Sequence, residues 1–565
     1  MTNGFDTIIV GGGAAGCVLA NRLSARSNVR VLLLEAGLDT PPGAEPADVI
    51  DTYPISYYNA AYMWPGLKVH WRLESNSSLV GYSQGRILGG GSSVMGMVAL
   101  RGTPDDYAEW EELGASGWGW KDVLPFFLKL ETDMDFAGDL HGSVGPVPVR
   151  RTKPEQWPPL SRAIRHFADE RQIPYIADMN ADFRDGYCSV PMSNWPAKRA
   201  SAAICYLDGS VRRRDNLTII SQAKVTELMF EGRRAVGVTV RIAGELKQFL
   251  GREIILCAGA IHTPAMLMRS GIGPADHLRD LGIGVRTELA GVGKNLANHA
   301  LLFVALHLRR DARQSPGLRP HPTTAFRYSS GIAGCPRSDM YINVQSKTSW
   351  SALGHQIANL SPALLKPMSR GRVSLYTPDP DRQPRVEFNF TGHELDMQRF
   401  MKAFRRTVEI LAYEKVRALG DLTFPVQFTD RLRLLNQHTP ANAVKSTVIA
   451  KLLDLVPALG GPIFATLADR RVDLAELIKD DDALAEHIRI NVAGMFHVSG
   501  TCRMGAPDAR DTVVDPSGRV RGIGGLRVAD ASIMPTLPRG NTNIPTIMLA
   551  EKLSAAITEQ MRAAT

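Results

Sequence analysis

Residues 6–10 (Asp-Thr-Ile-Ile-Val) end in a continuous apolar run with no solvated face, as a strand buried on both sides requires. A glycine-dense turn follows. From Ala14 to Ser24 the spacing becomes helical, with Val18, Leu19, Ala20 and Leu23 apolar. Val29 to Leu34 is a second buried run, closed by Glu35. Together these segments predict a βαβ unit of about thirty residues. Further strands are expected at Leu217–Ser221, Ala235–Ile242 and Glu253–Cys257. A helix over Ala260–Arg269 should stop at Ser270-Gly271-Ile272-Gly273.

Between 310 and 490 the pattern changes. Asp339–Gln345 and Gly371–Tyr376 alternate apolar and polar residues, as antiparallel strands with one solvated face do. Long helices such as Glu394–Leu411 follow. Parallel-sheet character returns with a strand at Leu526–Val528 and a helix over Pro545–Arg562. The predicted fold class is therefore α/β plus α+β. A discontinuous nucleotide-binding domain is expected over 1–155, 216–309 and 491–565, and a second domain on an antiparallel sheet over 156–215 and 310–490.

The closest approach to a membrane span, Thr447–Leu467, is broken by Lys451, Asp454, Pro457, Gly460, Gly461 and Pro462, so no transmembrane segment is expected. It predicts a helical hairpin in the core or at a subunit contact, the latter implying a homo-oligomer. The alternative is an apolar lid or a surface resting on a membrane.

Composition narrows the class. A chain of 565 residues, 44% hydrophobic and 22% charged, suits a multidomain globular enzyme. The net charge of +8 is scattered in groups such as Arg150-Arg151 and Arg212-Arg213-Arg214, so nucleic-acid binding is not expected. Six cysteines without a C-x-x-C spacing give no reason to expect zinc, and no other metal is predicted. Sparse cysteines, and a first strand that leaves no room for a signal peptide, predict a cytoplasmic protein.

Gly11-x-Gly13-x-x-Gly16 lies between the first strand and its helix, where a tight turn and a helix N-terminus bind a pyrophosphate. Glu35, at the end of the second strand, has the position of a ribose-binding acid. His497 and Asn541 each sit among small, turn-forming residues. One can take a proton near neutral pH and the other can hydrogen-bond an alcohol oxygen.

Five further segments carry a family resemblance. They are Gly85-Arg86-Ile87-Leu88-Gly89-Gly90-Gly91-Ser92-Ser93, Gly259–Pro264 with Arg269–Gly273, Val292–Leu296, Phe496–Gly500, and Gly540-Asn541-Thr542-Asn543. With them the chain resembles the glucose–methanol–choline (GMC) family of FAD oxidoreductases over nearly its whole length. The His497 and Asn541 elements look close to bacterial aryl-alcohol and hydroxymethylfurfural-type oxidases.

The resemblance implies FAD stretched across a Rossmann-like first domain, with the isoalloxazine between the two domains. Gly11, Gly13, Ala14, Ala15 and Gly16 would hold phosphate, Glu35 and Ala36 the ribose, and Val225 the adenine. Asp530 and Ala531 would meet the ribityl chain and pyrophosphate. Arg86, Gly90, Ser92, Val94, Met95 and Gly96 would run along the flavin, and Thr542 and Asn543 would face its N1/C2=O edge. Met95 replaces a usual asparagine or histidine. Val94 stands where some members carry a flavin-linking histidine, so FAD is expected to be non-covalent. Asn298 precedes His299 where the family has Asp-His, and this pair is assigned a structural role.

The implied reaction is oxidation of an alcohol. His497 takes the hydroxyl proton, Asn541 steadies the oxygen, and hydride passes to flavin N5. Phe496, Met495, Met95, Tyr341 and Trp350 would wall an apolar, partly aromatic pocket suited to a primary alcohol on a benzene or furan ring. O2 is the expected acceptor, reduced to H2O2. The alternative is a dehydrogenase using a quinone or other acceptor, followed by a lyase or photodecarboxylase on the same fold.

Overall fold

The computed structural model describes residues 4–427, 429–467 and 472–563. The apolar runs at the N-terminus form the centre of a parallel sheet. Phe5–Val10 pairs on one side with Val31–Leu34, which pairs with Leu217–Ile220. On the other side it pairs with the end of Glu245–Leu256, which pairs with Leu526–Val528. An antiparallel extension, Ala223–Glu231 and Arg234–Ile242, continues from Glu245–Leu256. The helix Ala14–Leu23 packs on the last helix, Asn543–Ala563, so the two ends of the chain close one layer. Their junction is pinned by buried Glu551, which accepts from Arg22 and Tyr206.

The second sheet is mainly antiparallel and has nine strands. Its central strands are Val304–Leu308, Ile357–Leu364, Met340–Gln345 and Thr324–Tyr328. Period-two alternation divides its faces. Val304, Leu306, Ile342, Val344 and Leu360 join the main core with Phe400 and Phe404 of the helix Glu394–Ala412. Leu301, Ala325, Tyr341 and Ala363 face the other way, into a separate cluster with Met97, Val98, Leu100 and Met495. Ala300–Leu301 and Ala493–Gly494 pair with each other within this sheet. It therefore reaches past the expected divisions at 309 and 491.

The segment 447–467 is helical, as expected, within Pro440–Leu455 and Gly460–Leu467. On the helix Pro440–Leu455, Ser446, Ala450 and Leu453 are buried, whereas Val444, Val448, Leu452 and Leu455 are exposed. Among the described residues no helix is long and apolar enough to cross a membrane. Glu131, Asp133 and His141 converge within 4.8 Å. Arg101 takes Glu131, Arg151 takes Asp133 and Asp178, and Asp178 also takes His141, so the cluster's charges are balanced internally. The His141 imidazole is raised to about 11 because these bonds outweigh the cost of its burial.

Candidate functional site

A cavity of about 250 Å³ runs from the end of the parallel sheet to the junction with the second sheet. Gly11, Gly13, Ala14, Ala15, Glu35, Ala36, Gly90, Met95, Val225, Asp530, Ala531 and Phe496 line it, all of them named from sequence.

The glycines of the fingerprint divide by task. At Gly11 (φ +104°) a Cβ would fall 2.5 Å from the Cys257 carbonyl oxygen, and at Gly16 one would fall 2.0 Å from that of Gly11. Both are therefore demanded by the protein itself. Gly13 differs, since its φ of −69° is ordinary and a Cβ there would meet nothing closer than Cys257 O at 3.9 Å. Its bareness opens only onto the cavity, which is what close approach of a pyrophosphate requires. The second glycine loop is held against the first by the Gly89 N–H bond to Gly12 O at 2.7 Å.

Glu35 is buried, and its carboxylate accepts from the Gly12 N–H at 2.8 Å and the Gly37 N–H at 2.7 Å. Burial raises its pKa, opposed by those two N–H groups and by Arg86. Its remaining lone pairs can receive ribose hydroxyls. Asp530 accepts from the Gly259 N–H, the Thr263 hydroxyl and the Ser532 N–H, which ties its own turn to the helix Gly259–Arg269 at the cavity wall. These donors and bare backbones fit an FAD.

Seven residues expected at the cofactor do not line the cavity: Gly16, Arg86, Ser92, Val94, Gly96, Thr542 and Asn543. Arg86 instead bonds the Ala36 carbonyl and lies over the Trp64 ring, so it braces the wall. Ser92 accepts from the Ala202 N–H and donates to Gly89 O. Val94 is fully buried with Val49, Tyr62 and Ile87, because the one-turn helix Gly91–Val94 sends it inward while Met95 reaches the cavity. The final helix meets the cavity at Thr546, a residue not anticipated.

Beside Phe496 lies a chain of hydrogen bonds. His497 Nε2 is 2.9 Å from Asn541 Nδ2, and its Nδ1 is 2.7 Å from His299 Nδ1. His299 Nε2 lies 3.0 Å from Leu365 O. Because a carbonyl only accepts, His299 carries its proton on Nε2 and its Nδ1 is bare. His497 must then donate from Nδ1, which leaves Nε2 as an unprotonated acceptor facing the Asn541 amide. The main-chain N–H of His497 is held by Asn298 Oδ1 at 2.8 Å.

Burial, and then the neighbouring His299, hold His497 well below the ordinary histidine value, so it is a neutral base at pH 7. His299 itself is lowered to about 3, chiefly by burial. Asn298 and His299, for which a structural role was expected, therefore touch His497 directly. Their motif was visible in the sequence. Their contact is made by strand pairing, Leu301 with Ala493 and the Met495 N–H with His299 O.

Phe496, just before the base, has φ +63°, a left-handed conformation costing about 1–3 kcal/mol for a non-glycine residue. It is clamped by Tyr57 and Tyr82, with ring centroids at 5.5 and 5.1 Å. Tyr341 and Met495 meet in one apolar cluster. Trp350 lies outside it. Its indole N–H bonds Asn436 O at 2.8 Å and its ring sits edge-on to His438, because the loop after Gln345 turns toward the helices beyond residue 429.

Family models for the N- and C-terminal parts of GMC oxidoreductases match residues 5–301 and 367–550. The chain is 38% identical to 5-(hydroxymethyl)furfural oxidase of Methylovorus sp., covering 98% of this chain and 99% of that one. It is 31% identical to oxygen-dependent choline dehydrogenase 1 of Chromohalobacter salexigens, over 97% and 94% of the two chains. Among solved structures, pyridoxine 4-oxidase from Mesorbium loti superposes with a TM-score of 0.80 at 25% identity, covering 98% and 99%.

Proposed function

Since the chain belongs to the GMC oxidoreductase family and is an FAD-dependent alcohol oxidoreductase, we propose that it oxidises primary alcohols on an aromatic or furan ring, with His497 as base and Asn541 as oxygen ligand. The observation that carries the proposal is the fixed tautomer of His497, whose bare Nε2 shares a point with the Asn541 amide donor. An alcohol hydroxyl that replaces the direct bond between them donates its proton to Nε2 and accepts from Nδ2. The proton moves to His497 Nε2, while Nδ1–H stays bonded to His299 Nδ1. Asn541 steadies the oxygen as negative charge develops on it, a role for a preorganised donor.

FAD, when bound, supplies the acceptor for the hydride leaving the carbinol carbon. Gly13, Glu35, Val225, Asp530, Ala531, Met95 and Phe496 would hold it. Attachment is non-covalent, because Val94 and Met95 offer no linking nucleophile. Acid precipitation should release all the yellow colour into the supernatant.

The ring preference rests on Phe496 and its tyrosine clamp, and on the activity named for the Methylovorus relative. Use of O2 belongs to the same proposal, as does a cytoplasmic location, which is consistent with six unpaired cysteines. The test is anaerobic bleaching of the flavin by benzyl alcohol or 5-(hydroxymethyl)furfural, followed by oxygen. Rapid reoxidation with peroxide is expected. Sluggish reoxidation would assign a quinone or another acceptor instead, and no bleaching by any alcohol would remove the proposal.

A further inference from the structure

The face of the second sheet that carries His299 continues outward in an unbroken register. Leu301 opposes Ala363, which opposes Tyr341; Asn343 opposes Ser361; and Ala305 opposes Asn359, which opposes Gln345. Residues 299, 301, 303 and 305 thus stand on one side of the chain. The first of them holds the base. At the far end lies a second cavity, of about 130 Å³, lined by Phe303, Ala305, Asn359, Leu435, Phe464 and others. None of its lining residues belongs to the larger cavity. Phe303 forms one wall and also packs on the apolar cluster that contains Leu301 and Met495. It lies roughly 13 Å along the strand from His299, four residues at ~3.3 Å each.

The chemistry of the cavity is specific. Phe424 and Phe464 stack at 4.7 Å and, with Phe303, give it aromatic walls. Asn359 is 3% exposed. Its Nδ2 donates to Ser361 Oγ at 2.7 Å and to Gln345 Oε1 at 3.2 Å, which fixes the amide's orientation. Its Oδ1 has no partner among the described residues. A buried amide oxygen left unpaired is costly, so a donor arriving there recovers energy that the fold does not. A dry cavity of about 150 Å³ accommodates one benzene ring. Volume, walls and acceptor together select a single aromatic ring bearing one hydroxyl. On the outer side, Leu432, Leu435 and Asn436 are only partly buried, which gives access from solvent.

We propose that this second cavity is a binding site for ring-bearing alcohols, with the ring between Phe303 and the Phe424–Phe464 pair and the hydroxyl donating to Asn359 Oδ1, and that it holds the alcohol before it passes Phe303 toward His497. The binding site stands on its own geometry, while the holding role rests on the alcohol-oxidising function. The probe is 4-fluorophenol, which has the ring and the donor but no carbinol carbon to oxidise.

In a ¹⁹F NMR titration of the FAD-loaded enzyme, a bound signal is expected that disappears in Ala305→Phe, whose ring fills the cavity. Asn359→Leu should weaken that signal's binding about three- to tenfold, the value of one hydrogen bond. A soaked crystal should place the phenol oxygen within hydrogen-bonding distance of Asn359 Oδ1. If Ala305→Phe does not fold, Leu435→Trp, on the partly buried outer wall, serves instead. Bound signals that survive both filled variants, or density in the crystal without a signal in solution, overturn the site. The holding role further predicts that filling the cavity lowers kcat/KM for benzyl alcohol through a higher KM, and an unchanged KM refutes it. Failure of all alcohols to bleach the flavin would refute the function and leave the phenol result standing.

Discussion

The candidate cofactor cradle and the His497 site beside it are built by opposite means. The cradle is made of backbone and of absent side chains: Gly11, Gly13 and Gly16 in one turn, Gly89 and Gly90 in another, with Glu35 folded back on the amides of Gly12 and Gly37. The His497 site is made of side chains from five separate segments, at Tyr57, Tyr82, Asn298-His299, Phe496-His497 and Asn541, with the Leu365 carbonyl from a sixth. Contacts in the cradle run among the turns and strand ends of the parallel sheet. Contacts at the base are set by the register of a sheet. The cradle is therefore robust to changes in the second sheet, and the base is not.

The largest separation of the two regions is expected from His497→Ala. It should slow anaerobic flavin reduction by about 10²–10⁴, the usual worth of a general base, while the bound FAD per chain stays at the wild-type level. Loss of FAD together with rate would mean that the regions are not independent.

Within the cradle, two glycines three residues apart should fail differently. Gly16→Val drives a side chain into the Gly11 carbonyl and should destabilise the fold by about 3 kcal/mol, seen as a lowered unfolding midpoint. Gly13→Val should keep the apoprotein's midpoint and lose FAD binding. Equal midpoints for the two variants would break the division of tasks among the glycines.

His299→Leu tests the link between the base and its sheet. Without an acceptor for Nδ1–H the tautomer is no longer fixed, and a loss of roughly 10–100-fold in flavin reduction is expected, as for other partners that orient an imidazole. The pH profile gives a readout that packing damage would not move. His497 must be unprotonated, and burial and His299 depress its pKa, so wild-type activity should be full at neutral pH and fall only well below pH 6.5. Removing His299 lifts one of the two depressing causes, and the acid limb should move up toward pH 6.5.

The smallest effect is expected at Glu35→Gln, which leaves either the Gly12 or the Gly37 N–H without an acceptor. FAD should bind about tenfold more weakly by fluorescence titration, the lower end of the cost of an unmade buried bond.

How far each region could be read in advance follows from the same difference. Strand, turn, helix and acid follow one another over residues 5–35, so periodicity and glycine spacing pointed to that part of the cradle, while Gly90, Met95, Val225, Asp530 and Ala531 came only with the family resemblance. The placement of Ser92 and Val94 away from the cavity was not legible, because a one-turn helix determines which of its neighbours face it, and four residues carry no usable periodicity. Nor was that of Trp350, because an indole is equally at home against a substrate or against a loop carbonyl.

The sequence alone determined the cofactor class, the two-sheet architecture and the pair His497/Asn541, since each rests on local spacing or on motifs that keep their order along the chain. Tertiary structure decided the rest. The pairing of 300–301 with 493–494 brings His299 to the base and thereby fixes the proton on His497 Nδ1. The same register continues to Asn359, in the wall of a second cavity, and leaves its carbonyl oxygen without a partner among the described residues. Register joins residues far apart in sequence through hydrogen bonds that the backbone of any residue but proline can make, so no residue type announces it.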